Sequence, residues 1–165
     1  MRRAAAVAAL AVLAVLAVLL PAGCGVRPSG VITGGPAPRA AGGWVRLYLV
    51  KDGTLTPVLR RADPHTRPTQ TLELLLAGPT GDERADGYTT EVPPGLGPVA
   101  VQAGELAATV AVAGDPVALS ATAAGQIACT VVDAVSADPA ARPRFTVTLT
   151  GPGRSRGPER CPRPG

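Results

Sequence analysis

The chain is short of the side chains from which most active sites are built. Its 165 residues include one His, one Trp, one Phe, one Met, two Tyr and three Cys. A lone histidine, His65, cannot supply an H-E-x-x-H zinc motif, and neither C-x-x-C nor G-x-S-x-G occurs. No glycine-rich phosphate loop follows a strand pattern, so nucleotide chemistry has no seat. Scarce aromatics leave the core to aliphatic side chains and alanine. They also weigh against a sugar site, which ordinarily displays exposed rings. Lysine is nearly missing as well, Lys51 being its only instance.

Charge is unevenly spread. The formal net charge is +4, and Arg2 and Arg3 stand at the very start. Residues 24–141 carry eight Lys/Arg against eleven Asp/Glu, whereas residues 142–165 carry six Arg against Glu159 alone. The basic character is therefore a property of the tail and not of a whole domain. With no aromatic-plus-basic motif, nucleic acid is not an expected partner.

What is present begins with Met1-Arg2-Arg3 and an uncharged run from Ala4 to Val26, the pattern of a secretory signal over residues 1–23. The alternative is an uncleaved anchor, but Ala4 to Leu20 is 17 residues, at the lower edge of what spans a bilayer, and Pro21, Gly23 and Gly25 spoil any extension. Ala22, Gly23 and Cys24 resemble the lipobox of bacterial lipoproteins, which implies lipidation at Cys24 and a new N-terminus there. Pro21 departs from that motif, where an aliphatic residue is usual. The other reading is an ordinary signal cut near Gly23, leaving Cys24 as a free thiol. Residues 24–43 are rich in Gly and Pro with few large apolar groups, the composition of a flexible tether.

Order is expected from Trp44. "WVRLYLV" alternates as a strand, Asp52-Gly53 is a hairpin signal, and "TLTPVLR" returns, with Pro57 marking an edge or a bulge. Thr66 is a candidate N-cap for a helix with Leu72, Leu75 and Leu76 on one face, stopped by Gly78-Pro79. Thr80 to Glu83 forms a capping box for a short helix to Asp86, and the segment through Pro93-Pro94-Gly95 is extended. A second hairpin runs from Val99 through Gly104 to Val112. Asp115-Pro116 opens the longest helix, with Val117, Ala121, Ala124, Ala128, Val131 and Val135 inward and Ser120, Gln126 and Asp133 outward. "RFTVTLT" is a last strand, and the final fifteen residues show no periodicity. The expected class is α+β, a mixed sheet of about five strands with two main helices packed on one face.

The stretches "LYLVKDGTLTPVLR" and "TLELLLAGPTGDERADGYTTEVPPG", followed by a hairpin and a long helix, resemble the GerMN domain of sporulation and spore germination proteins. The resemblance covers about residues 44–150. Taken with Cys24 and the tether, it extends to the small actinobacterial GerMN lipoproteins. It implies an extracytoplasmic module, related to ring-building motifs, that packs against neighbouring copies or partner proteins. The family implies no catalytic residues, cofactor or metal. The turn at Ala103-Gly104 departs from the more usual Asp-Gly or Asn-Gly.

Two cysteines remain. In an exported protein Cys129, on the long helix, and Cys161, in the tail, invite a disulfide that would staple residues 151–165 onto the domain. Closing a loop of about 33 residues stabilises by roughly 3 to 4 kcal/mol in the chain-entropy model. The alternative leaves Cys129 a buried thiol and the tail unstructured. His65 beside Asp63 reads better as a solvated loop than as a base, and no catalytic residue is assigned. Glu73, Asp82, Asp86 and Glu91 read as solvated helix or loop charges, Glu83 as a cap, and Arg154, Arg156, Arg160 and Arg163 as a solvated basic tail.

Two functions compete on this reading. One is a non-enzymatic, membrane-anchored envelope lipoprotein acting in protein association or self-association outside the cytoplasmic membrane. The other is a cell-wall polymer binder or hydrolase accessory.

Overall fold

The computed structural model describes residues 43–136 and 139–162. The signal assigned to residues 1–23, the lipidation candidate Cys24, the tether up to residue 42 and Arg163 lie outside them. Strands β1 (Gly43–Lys51) and β2 (Thr54–Ala62) form an antiparallel pair. Asp52 and Gly53 close it with φ of 51° and 73°, the left-handed pair whose twist suits a two-residue hairpin. Pro57 faces Tyr48 across the ladder. The amide of Tyr48 points away from β2, so this pair exchanges no backbone bonds and the missing proline N–H costs nothing.

Helix α1 (Pro68–Leu76) starts one residue later than expected, with Arg67 as N-cap. Thr66 turns back, its amide and hydroxyl both donating to the Asp63 carbonyl. The Gln70 side chain instead accepts the Arg67 N–H at 2.8 Å. Leu72 and Leu75 are fully buried, and Gly78 ends the helix with φ of 75°. Helix α2 (Gly81–Ala85) opens on the capping box: Thr80 accepts from the Glu83 amide and Glu83 from the Thr80 amide.

The second hairpin, β3 (Val99–Ala103) and β4 (Ala107–Val112), is the first half of a four-stranded sheet ordered β3-β4-β5-β6. Strand β5 (Thr146–Gly151) lies parallel to β4, and β6 (Arg154–Glu159) lies antiparallel to β5. Between β4 and β5 the chain makes one 3₁₀ turn, Pro116–Ala118, and then helix α3 (Ala121–Val135). Asp115 therefore caps only the 3₁₀ turn, and the long helix begins at Ser120, whose hydroxyl accepts from the Ala123 amide at 3.0 Å. Leu119 is extended between the two, which breaks the expected continuous helix and leaves Val117 exposed.

The class is α+β as expected, but the strands divide between two sheets, of two and four strands. The inner face of the larger one (Ala108, Val110, Val112, Val147, Leu149) meets Ala124, Ile127, Ala128 and Val131 of α3 in one core. Leu47 and Leu49 from β1 and Leu72 and Leu75 from α1 complete it, with Phe145 as its one fully buried aromatic ring.

The tail departs from expectation too. Residues 154–159 are a strand of the sheet and not a solvated appendage. Gly157 and Pro158 read as breakers in sequence, yet the β5–β6 register shifts between Val147 and Leu149 to accommodate them. At Gly157, φ is 121° and a Cβ would come within 2.8 Å of the Val147 carbonyl, so only glycine fits. Past the strand, Cys161 is joined to Cys129 of α3, 32 residues away in sequence.

Candidate functional site

Strand β1 has one neighbouring strand, and its other edge needs partners for outward-pointing N–H and C=O groups. Helix α3 supplies them with side chains. Gln126 donates to the Tyr48 carbonyl at 2.9 Å, and Thr130 accepts from the Tyr48 amide at 3.1 Å. Asp133 takes the Tyr48 hydroxyl and the Arg46 guanidinium on one oxygen, both at 3.0 Å, and Arg142 on the other at 2.5 Å. Further along the edge, Val50 exchanges two backbone bonds with Thr89. Gln126 also accepts the Glu91 amide at 2.8 Å, so one amide side chain binds β1 to the 88–92 segment.

Gln126 and Thr130 are fully buried and the Asp133 carboxylate nearly so, although Gln126 and Asp133 were expected on an outward face. Their spacing carried the missed signal. Positions 126, 130 and 133 are i, i+4 and i+7, one stripe of a helix, and a polar stripe on an otherwise apolar helix must meet polar groups. The site's electrostatics follow. Burial raises the Tyr48 phenol above its ordinary value, and the Asp133 charge raises it further. The hydrogen bond to Asp133 likewise holds the Arg46 proton more tightly.

A second polar knot was also illegible in sequence. Arg60, half-buried on β2, donates through Nε to Glu83 at 2.9 Å and pairs again with it through Nη2. Its remaining donors reach the Leu74 and Gly78 carbonyls, at 2.9 and 2.8 Å, where α1 ends. Glu83 thus caps α2 and clamps β2 to the end of α1. The Arg60 hydrogen bond, outweighing burial, holds its carboxyl below the usual carboxylate range.

The other sequence candidates are separate from one another. His65 is exposed, and Asp63 accepts its backbone amide at 2.7 Å, a loop bond that does not orient the imidazole. Glu73, Asp82, Asp86 and Glu91 are exposed, Glu91 accepting the Ser120 hydroxyl. Arg154 and Arg160 are exposed, Arg154 pairing with Asp115 at the surface, whereas Arg156 is partly buried and donates to Glu159 and the Leu119 carbonyl. Among the described residues no group of three or more His, Cys, Asp or Glu could hold a metal, and no helix is long and apolar enough to cross a membrane.

One surface stands out. Trp44 and Leu59 are 57% and 58% exposed, on the end of the first hairpin where the chain enters the fold. Trp44 pairs with Arg61 and Arg46 with Leu59, and residues paired across strands, like residues two apart, share a face. Trp44, Arg46, Leu59 and Arg61 therefore form a checkerboard of two apolar and two cationic side chains. The Arg61 guanidinium sits 5.5 Å from the Trp44 ring centre. Beside the checkerboard lies a cleft of about 310 Å³, with Asp63, Asp133 and Arg142 on its walls.

No family model matches the chain, and no curated protein does. Among solved structures it is similar to one described as the tandem GerMN domains of the sporulation protein GerM from Bacillus subtilis. Identity is 16%, the TM-score is 0.48, and the likeness covers 74% of this chain and 43% of that one. The chain thus spans less than half the length of that structure, which comes from the family that the motifs of the first hairpin and α1 resemble.

Proposed function

We propose that the protein is a non-enzymatic, membrane-anchored lipoprotein of the cell envelope whose folded domain acts in protein association on the extracytoplasmic side. The observation that carries this reading is Cys24 behind Ala22-Gly23, at the end of an uncharged apolar run introduced by Arg2-Arg3. A Gly/Pro-rich segment then leads to a domain whose two remaining cysteines are joined, a pairing suited to an oxidising compartment. The titratable groups that the fold gathers support a binding role over a catalytic one. Arg46, Tyr48 and Asp133, with Arg142 through Nη1, pair with one another, and Arg60 and Glu83 pair with each other and with backbone. The partner is an envelope protein or a second copy of this chain. Sporulation, germination or envelope maintenance is the process that the sequence resemblance suggests.

Feeding cells an alkyne-bearing fatty acid tests the anchor. The wild-type chain takes the label and Cys24→Ala does not; an unlabelled wild type makes it a secreted protein instead. Crosslinking from the anchored protein then captures a protein neighbour. Retention on washed sacculi through moderate salt favours wall-polymer binding in its place.

A further inference from the structure

We infer that the checkerboard face of the first hairpin, Trp44 and Leu59 with Arg61 and Arg46, docks on an anionic membrane surface. The inference rests on the anchored reading above and adds to it a definite orientation of the domain. Its chemistry is that of the bilayer interface, where indole rings settle at headgroup level and guanidinium groups meet phosphate. The two large exposed apolar side chains of the hairpin both lie at the end where the anchored chain enters; toward the turn, Tyr48 on the same face is held by Asp133 of α3. Trp44 follows Cys24 by only 20 residues, and β1 begins at Gly43, so an anchored chain delivers this end of the hairpin to the lipid first. The cations act as local contacts and not as a net field. Arg46 and Arg142 share the Asp133 carboxylate, and Asp63 and Glu73 line a cleft with Arg61. It is the two exposed guanidinium groups of Arg46 and Arg61, beside Trp44 and Leu59, that would meet headgroup phosphate. Two apolar side chains and a few charges bind a membrane weakly from solution. A short tether changes that, since it holds the face at an effective concentration of about millimolar.

Trp44 is the only tryptophan in the chain, so its emission reports on this face without a label. The full lipidated chain is reconstituted on phosphatidylcholine vesicles with and without phosphatidylglycerol, each carrying acyl-brominated lipid. Docking predicts a blue shift and loss of Trp44 emission on the anionic vesicles, weakened by salt and largely abolished in the L59S/R61E double variant. Both substituted side chains are exposed, and an unchanged melting temperature checks that the variant folds. Vesicle-bound chain whose Trp44 emission matches that in buffer overturns the docking while leaving the anchor intact. A chain that neither floats with vesicles nor takes up fatty acid refutes the anchor; the docking face is then decided by whether added anionic vesicles still shift Trp44. A shift that instead follows protein concentration without lipid, or appears on washed sacculi, assigns the face to a second copy or to wall polymer and also overturns the inference.

Discussion

The two hairpins of this protein begin from the same instructions and solve the same problem differently. Each is an alternating strand pair with one apolar face and each has an edge to close. In the second, β4 pairs with backbone, the parallel strand β5, and the sheet grows. In the first, β1 meets the side of a helix, where Gln126 and Thr130 take the place of a strand and Asp133, one turn on, holds the Arg46 and Tyr48 side chains. A strand edge can thus be closed without another strand when a helix carries a polar stripe in register with it. Such a seal spends buried polar groups, so each member matters in proportion to the partners it would strand.

The largest effect should come from the apolar side that the hairpins share. Leu149→Ala in β5 and Leu47→Ala in β1 both empty fully buried sites, and each should cost about 2–5 kcal/mol in denaturant unfolding. A Leu47→Ala cost below about 1 kcal/mol would show that the first hairpin is peripheral to the core and break the comparison.

Next comes the clamp. Glu83→Gln removes the negative charge opposite the half-buried Arg60 and leaves it neutral oxygen acceptors only, and a loss of about 2–4 kcal/mol near neutral pH is expected. The sign with pH follows from a folded-state pKa below the unfolded one. The carboxylate's contribution is complete above the ordinary carboxylate range and is lost as pH falls through the folded value. Melting curves of the wild type and Glu83→Gln should therefore converge in acid, and a gap that stays constant would refute the clamp.

Gln126→Ala strands the Tyr48 carbonyl and the Glu91 amide together and should cost about 1–3 kcal/mol by the same unfolding measurement. Smallest is Thr130→Val, nearly isosteric, at about 1 kcal/mol. Its sharper readout is amide exchange, in which Tyr48 alone along β1 should lose protection. If both seam variants prove neutral, packing and water close the β1 edge and the contrast between the hairpins disappears.

Much of the architecture was legible because its causes are local. Asp52-Gly53 needs no distant partner to turn, nor does the Thr80–Glu83 box to start a helix. The leucines of α1 and the valines and alanines of α3 announce their buried faces by period alone. The misreadings share the opposite origin. Asp115-Pro116 is as good a helix start as Ser120, and only the extended Leu119 between them decides which the long helix uses. Gln126 and Asp133 read as solvent-facing because polarity usually is, until β1 presents its edge to them. Residues 154–159 carry glycine and proline in a strand because β6 bulges there, setting Gly157 and Pro158 opposite Thr148 of β5. The exposed Trp44 was legible as a residue but not as a site, since its companions Leu59 and Arg61 arrive from the other strand.

By itself, then, the sequence determined the α+β class, the turns, most helix ends, the aliphatic character of the core and the export-like N-terminal pattern that ends at Cys24. Each rests on interactions within a few residues or on composition. Tertiary structure alone decided that the strands form two sheets and that a polar stripe would seal one of them. It also placed Arg60 on Glu83 and gathered an apolar and cationic face at one end of the first hairpin. Those outcomes depend on which surfaces meet, and pairing across tens of residues is governed by the summed burial of the whole chain, which no single segment encodes.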